Sequence, residues 1–233
     1  MFRAPIVFFL TVLVFVNQLF AVTVDTIQLD VVSEGYHLDA IMLKQTASNK
    51  KLPVIIFLVG SAGNSSHKTT YKDFTEFFFE NTFLKNGFAV VYFDKRGVGK
   101  SEGKWFETTF EQRAVDAKNV ALAVREFAFV DTEKVFVVGH SQGGWIVQVA
   151  LANYPEIFAG GISMAGPVFG VRKQLINDYQ SKFICEKGFS ENKAFRKAKA
   201  KTNRIIFFSS MLGRKGNLKQ LHVIKNFEAR PYL

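Results

Sequence analysis

Cysteine is nearly absent: the 233 residues contain one, Cys185. A single thiol excludes an intrachain disulfide framework and any metal site built from several thiolates. One cysteine, expected to be buried, also suits an oxidising compartment. Proline is scarce, five against 26 phenylalanines, which excludes collagen-like and low-complexity chains and points to a core rich in large rings. The four histidines show no His-x-x-x-His or Cys/His spacing, so neither a metal nor a cofactor is expected. Acidic residues are depleted at one end only: residues 171–233 hold 15 Lys+Arg and 4 Asp+Glu, whereas residues 1–170 hold 15 and 16. The net charge of +10 therefore comes from the last part of the chain. The remaining balance, 48% apolar and 21% charged, is that of a globular domain with a full core.

After residue 21 no apolar run reaches a membrane-spanning length. Before it, Arg3 supplies a positive start, residues 6–16 are apolar except for Thr11, and Ala21 ends a more polar stretch with a small residue. That is the layout of a signal peptide over residues 1–21, cleaved after Ala21, and it implies a periplasmic or secreted protein. An uncleaved N-terminal membrane anchor is the alternative.

From residue 22 strands and helices alternate. Residues 24–32 and 36–44 read as a hairpin around Ser33, Glu34 and Gly35. Residues 53–59, 88–93, 134–138 and 158–164 are short apolar runs of the kind buried on both faces of a parallel sheet. Helices are expected over 71–86, from a capping box at Thr108 with Glu111 or Thr109 with Gln112 to about Phe127, and over 144–153. Such alternation predicts an α/β fold, a mostly parallel sheet covered by helices on both faces.

The most specific signal is Gly139-His140-Ser141-Gln142-Gly143-Gly144, between an expected strand and an expected helix. A serine on so sharp a strand-to-helix turn needs small neighbours two residues away on either side, and Gly139 and Gly143 supply them. The turn exposes the hydroxyl above the sheet and aims the Gln142 backbone N–H, with the positive helix end, at an adjacent oxygen. His140 is expected to point away from the serine and to pack or line the pocket. Two other glycine-containing loops follow strands: Gly60-Ser61-Ala62-Gly63, and Asp94-Lys95-Arg96-Gly97-Val98-Gly99-Lys100-Ser101. The second is basic, but it lacks the Gly-x-x-x-x-Gly-Lys-Ser/Thr spacing and does not open directly into a helix, which argues against a phosphate cradle. His67, in the polar loop 64–70, is read as lying near the mouth, either touching substrate or simply solvated.

On these three motifs the stretch from Val24 to Pro167 resembles the α/β-hydrolase superfamily, in particular exported bacterial esterases and serine aminopeptidase-like enzymes. The resemblance implies Ser141 as nucleophile and the Gln142 and Ser61 backbone N–H groups as oxyanion donors. Gly60, Asp94, Arg96, Gly139, His140 and Gly143 then hold the site together. It implies a small-molecule ester or peptide substrate, cleaved through an acyl-enzyme. Val59 stands where the family usually has a histidine that braces the loop.

The domain plan is a signal segment 1–21, a hydrolase core 22–170 with the first six strands, and a helical, cationic lid 171–233. Within the lid, 171–187 and 191–204 read as helices, and 205–208 as an apolar lid face rather than a strand. Only one aspartate, Asp178, and one histidine, His222, follow Ser141, whereas the resemblance calls for an acid and then a histidine on later strands. The preferred expectation is a chain truncated before those strands, leaving 158–164 as an exposed edge. Recruitment of Asp178 and His222 from the lid is the alternative. If truncated, the chain is a catalytically dead remnant, acting at most as a binding module for anionic partners. A weak contact of 171–233 with an anionic membrane surface is compatible with its charge, while lysines that merely solvate the outer faces of the lid helices explain the same composition. Nucleic acid is not expected, because the nearby aromatic residues follow core spacing rather than forming stacking platforms.

Overall fold

The computed structural model describes residues 23–46, 50–61, 63 and 65–233. The expected signal segment lies outside them. Six strands form one sheet in the order β1-β2-β4-β3-β5-β6. β1 (Val24–Ser33) and β2 (Tyr36–Gln45) pair antiparallel, with Val24 opposite Gln45 and Ser33 opposite Tyr36. The turn between them is two residues, Glu34 and Gly35, with φ of 47° and 83°. Positive φ at both positions matches the right-handed twist of the flanking strands.

β2 then pairs antiparallel with β4 (Ala89–Phe93), and the rest of the sheet is parallel. β3 (Leu52–Leu58) and β4 lie at the centre with nearly every side chain buried, as their continuous apolar sequences require. β5 (Val130–His140) begins four residues before its apolar run, because Val130 still pairs with Leu52 across an irregularity in register.

Helices cover both faces. On one, α3 (Phe110–Arg125) and α4 (Gln142–Asn153) bury a cluster that includes Val120, Val124, Ile146 and Val149 against β3 and β5. The second of the two expected capping boxes opens α3: Thr109 accepts from the Gln112 N–H and Gln112 reaches back to the Thr109 N–H. On the other face α1 (Lys72–Phe74) runs through a π-helical stretch, Thr75–Glu80, into α2 (Asn81–Phe83). Phe79 there packs on Phe57 and Tyr92 with ring centroids 5.1 and 6.2 Å away.

The last part of the chain is helical: α5 (Val171–Lys187), α6 (Glu191–Leu212) and α7 (Gly216–Ile224). Ile205, Ile206, Phe207 and Phe208 are helical and continue α6 beyond Arg204, the expected end. The chain then returns to the core, where Phe227 packs between Phe110 and Trp145 at 4.7 and 5.8 Å. β6 (Gly160–Met164) pairs with β5, and among the described residues its other edge is open, with Ile162 51% exposed. Cys185, expected to be buried, is exposed on α5.

Candidate active site

The turn from β5 into α4 is as sharp as its sequence requires. Ser141 has φ 53° and ψ −117°, a conformation that costs a non-glycine residue about 1–3 kcal/mol and persists only where the surroundings hold it. They do so closely. A Cβ on Gly139 would overlap the Gly143 carbonyl, one on Gly143 would overlap the Leu58 carbonyl of β3, and one on Gly144 would meet Ser163 and Gly166. The Ser141 N–H donates to the Met164 carbonyl at the end of β6, 2.9 Å away.

The loop leaving β3 passes directly beside the serine: a Cβ on Gly60 would lie 3.5 Å from Ser141 Cβ. Four groups hold this loop. The Gly60 N–H donates to Tyr71 Oη at 3.0 Å, Lys95 Nζ donates to the Gly60 carbonyl at 3.0 Å, and Arg113 Nη2 donates to the Val59 carbonyl at 2.9 Å. Ser65 Oγ donates to the Ser61 carbonyl. With Val59 in place of a bracing histidine, bracing comes instead from Tyr71 and Arg113.

Arg113, buried on α3, also donates through Nη1 to Gln142 Oε1 at 2.8 Å, so one guanidinium joins the loop after β3 to the residue after Ser141. Burial pushes its pKa down to about 10. Sequence reading missed it, although an arginine on the buried stripe of α3, among Phe110, Ala114, Ala117 and Val120, is a visible signal. Gln220 of α7 donates to the same Gln142 Oε1 at 3.4 Å, which ties the lid to the turn.

Tyr71 Oη also lies 2.8 Å from His140 Nδ1, and their rings meet edge to face at 5.6 Å. His140 therefore packs behind the turn and does not line the cleft. Burial raises the Tyr71 phenol above its ordinary value. Asp94 is fully buried: its carboxylate accepts from Ser66 Oγ at 2.9 Å and its carbonyl from Ser101 Oγ at 2.6 Å. Arg96 donates to Asp116 at 2.6 to 3.1 Å and to Glu34 at 2.9 Å, and these carboxylates outweigh burial and raise its pKa. The basic loop is thus a structural turn whose Arg96 is already neutralised. Burial, reinforced by the Arg113 charge, lowers Lys95 from 10.5 to about 6.

His67 departs from expectation. It is buried, stacked on Tyr92 at 5.4 Å with Nδ1 3.3 Å from Asp94 Oδ1, because Asp94 and Tyr92 draw the 65–70 loop inward. It does not line the Ser141 cleft.

That cleft, about 410 Å³, brings Ser61, Ser141, Gln142 and Trp145 of the core against Leu175 and Asp178 of α5 and Gln220, Leu221 and Ile224 of α7. A larger hollow near Tyr36, Arg96 and Lys104 lies away from the serine. Asp178 is exposed at the cleft and accepts from Gln174 Nε2 at 2.8 Å. His222 does not line the cleft, and its Nδ1 lies 3.2 Å from Lys225 Nζ. Among the described residues no hydrogen bond joins Asp178 or His222 to Ser141, nor to each other. Both sit on lid helices, where helix packing directs their side chains. Among the described residues no group of three or more His, Cys, Asp or Glu could hold a metal ion.

Three comparisons place this geometry. In sequence, the chain is 27% identical to mouse prolyl endopeptidase FAP over 129 residues, 54% of this chain and 17% of that protein. It is 28% identical to mouse dipeptidyl peptidase 8 over 122 residues, 50% of this chain and 14% of that protein. The chain thus spans a small part of these relatives. Among solved structures, Est1E from Butyrivibrio proteoclasticus with bound ferulic acid matches with a TM-score of 0.51 at 22% identity, over 65% of this chain and 56% of that one. The α/β hydrolase GrgF from a Penicillium species matches with a TM-score of 0.56 at 14% identity, over 89% and 74%. A Pyrococcus furiosus esterase matches with 0.53 at 18%, over 75% and 62%. At these identities the structures establish a shared fold. The family described as serine aminopeptidase, S33, matches residues 53–219, from β3 through the Ser141 turn into α7, and the chain belongs to that family of α/β-hydrolases.

Proposed function

We propose that Ser141 is the nucleophile of a hydrolase that cleaves carboxylic esters through an acyl-enzyme. The observation that carries this reading is the strained conformation of Ser141, held between two glycines that admit no side chain and lining the cleft. Protein structure stores strain of this kind where a group must be presented in one orientation. Ser141 Oγ adds to the ester carbonyl and the carbonyl oxygen becomes an oxyanion. The Gln142 N–H, one of the amides at the α4 N-terminus that lack an intrahelical acceptor, and the Ser61 N–H donate to it. Collapse expels the alcohol, and water releases the acid from the serine.

Esters are preferred to peptides on two grounds. The cleft is small, and the similar Pyrococcus furiosus structure is named as an esterase; the curated relatives are named as peptidases, which keeps N-terminal peptide bonds as the second substrate class. Proton transfer from Ser141 needs a base, and neither Asp178 nor His222 contacts it. The described residues therefore supply binding and oxyanion stabilisation, which in triad enzymes is worth roughly 10³ to 10⁴ over water. Export through residues 1–21 belongs to the same reading, and N-terminal sequencing would then find Val22 first.

The test is mass spectrometry after incubation with a fluorophosphonate, alongside p-nitrophenyl acetate hydrolysis. The expected result is slow phosphonylation of Ser141, none in Ser141→Ala, and turnover close to background. Labelling elsewhere or not at all overturns the nucleophile. Enzymatic turnover abolished by His222→Ala, with the fold intact, would instead make His222 the base.

A further inference from the structure

The lid carries a surface that the Ser141 reading does not use. From Asn192 to Phe227 the sequence has ten Lys or Arg and no Asp or Glu. Among the described residues none of the ten forms a salt bridge with a carboxylate. The charge is therefore open to an external partner.

α6 is built the opposite way round from an ordinary surface helix. Its buried residues are small, Ala194, Ala198, Thr202 and Ser209. Its large apolar side chains point outward near the C-terminal end: Phe207 is 58% exposed, Phe208 42%, Met211 61% and Leu212 60%. These four occupy adjacent turns, and exposed Arg204, Arg214 and Lys215 flank them in sequence on both sides. A cluster of large apolar side chains held in water marks an interaction site.

We propose that this end of α6 docks on an anionic lipid surface, Phe207, Phe208, Met211 and Leu212 entering the acyl boundary while the flanking cations meet acidic headgroups. Apolar side chains set among cations on a helix that cannot span the bilayer are the composition of an interfacial helix, and no described helix is long and apolar enough to span. Charge selects among the occupants. A second copy would bring ten uncompensated cations against ten more, and a nucleic acid would use the cations but leave the apolar cluster in water. An anionic bilayer uses both. Within the lid, Gln220, Leu221 and Ile224 of α7 line the Ser141 cleft, whereas none of the four apolar residues of α6 does. Binding itself does not depend on Ser141.

Vesicle sedimentation with the chain from Val22 onward, which contains every described element, tests this. With about 30% phosphatidylglycerol in phosphatidylcholine at about 0.1 M salt, the chain is expected to pellet at least tenfold more strongly than with phosphatidylcholine alone, and about 0.5 M salt to release it. Phe207→Ser/Phe208→Ser/Met211→Ser is expected to weaken partitioning at least about tenfold with an unchanged circular dichroism spectrum. Arg214→Glu/Lys215→Glu, at about fivefold per charge, is expected to weaken it by about 25-fold or more. Absence of binding, equal binding to neutral vesicles, or an apolar variant that binds as the parent does would each overturn the proposal. A dimer in solution that the apolar variant dissolves would assign the face to a second copy. Tight oligonucleotide binding unaffected by the apolar substitutions would assign the cations to nucleic acid.

Discussion

Replacing Lys95 by methionine is expected to remove a pH dependence of stability that one buried amine imposes. Lys95 is 3% exposed, its ammonium lies against the Gly60 carbonyl and 5.7 Å from the centre of the Trp105 ring, and its pKa falls from 10.5 to about 6. The causes in order are burial and the Arg113 charge, opposed by Asp94. Between those two values the unfolded chain holds a proton that the folded chain does not, so stability rises with pH by about 1.4 kcal/mol per unit. The penalty is fully present below about pH 6 and is relieved as pH climbs toward 10.5. From about pH 7 to 9 this single group adds about 2.7 kcal/mol to the parent and nothing to Lys95→Met. Loss of the bond to Gly60 offsets the variant by a constant and leaves the slope untouched. With a urea m-value of about 2–3 kcal/mol/M, the parent midpoint rises by about 1 M relative to the variant across the two pH units. Parallel midpoints for the two proteins over that range would refute the reasoning.

Three further substitutions probe the same cluster. Arg113→Met strips charged donors from the Val59 carbonyl and Gln142 Oε1, a loss of about 3–6 kcal/mol before relief of the buried charge, and a net destabilisation of about 2–4 kcal/mol by urea unfolding is expected. It also removes the one charge that adds to burial in depressing Lys95, so the rising limb of stability against pH starts at higher pH. Tyr71→Phe leaves the Gly60 N–H without its acceptor, and a loss of about 1–3 kcal/mol with faster amide exchange at Gly60 is expected. Ser141→Gly relieves the positive φ and, after the entropy that glycine loses on folding, is expected to stabilise the fold by about 1 kcal/mol while abolishing phosphonate labelling.

Much of this molecule is legible in local sequence. The continuous apolar runs around Ile55 and Val91 become central parallel strands because they hold no charged or amide side chain, and the one phenol, Tyr92, reaches Glu80. Gly139, Gly143 and the serine between them predict a strained turn because the steric requirement is met within five residues. Glu34 and Gly35 close a hairpin through backbone twist alone. The first two lid helices follow from spacing and charge, although the second runs past Arg204 through Ile205 to Phe208 as far as Leu212.

What local sequence does not contain is which polar groups are enclosed together. His67 sits in a polar stretch and reads as solvated, yet Asp94, 27 residues later, and Tyr92 bury it. Arg113 reaches the Val59 carbonyl across 54 positions, and Tyr71 and His140 meet across 69. These contacts join different strands and helices at one end of the sheet, so no window of sequence holds both partners. The same holds for the outward direction of Phe207 and Met211, which depends on which stripe of α6 packs on α5. Apolar periodicity, glycine placement and capping decide the elements because their energies arise between neighbours in the chain. The bracing of the Ser141 cleft, the depressed Lys95 and the exposed face of the lid are decided by tertiary packing, because dielectric and hydrogen-bond partners are set by whatever the fold places alongside.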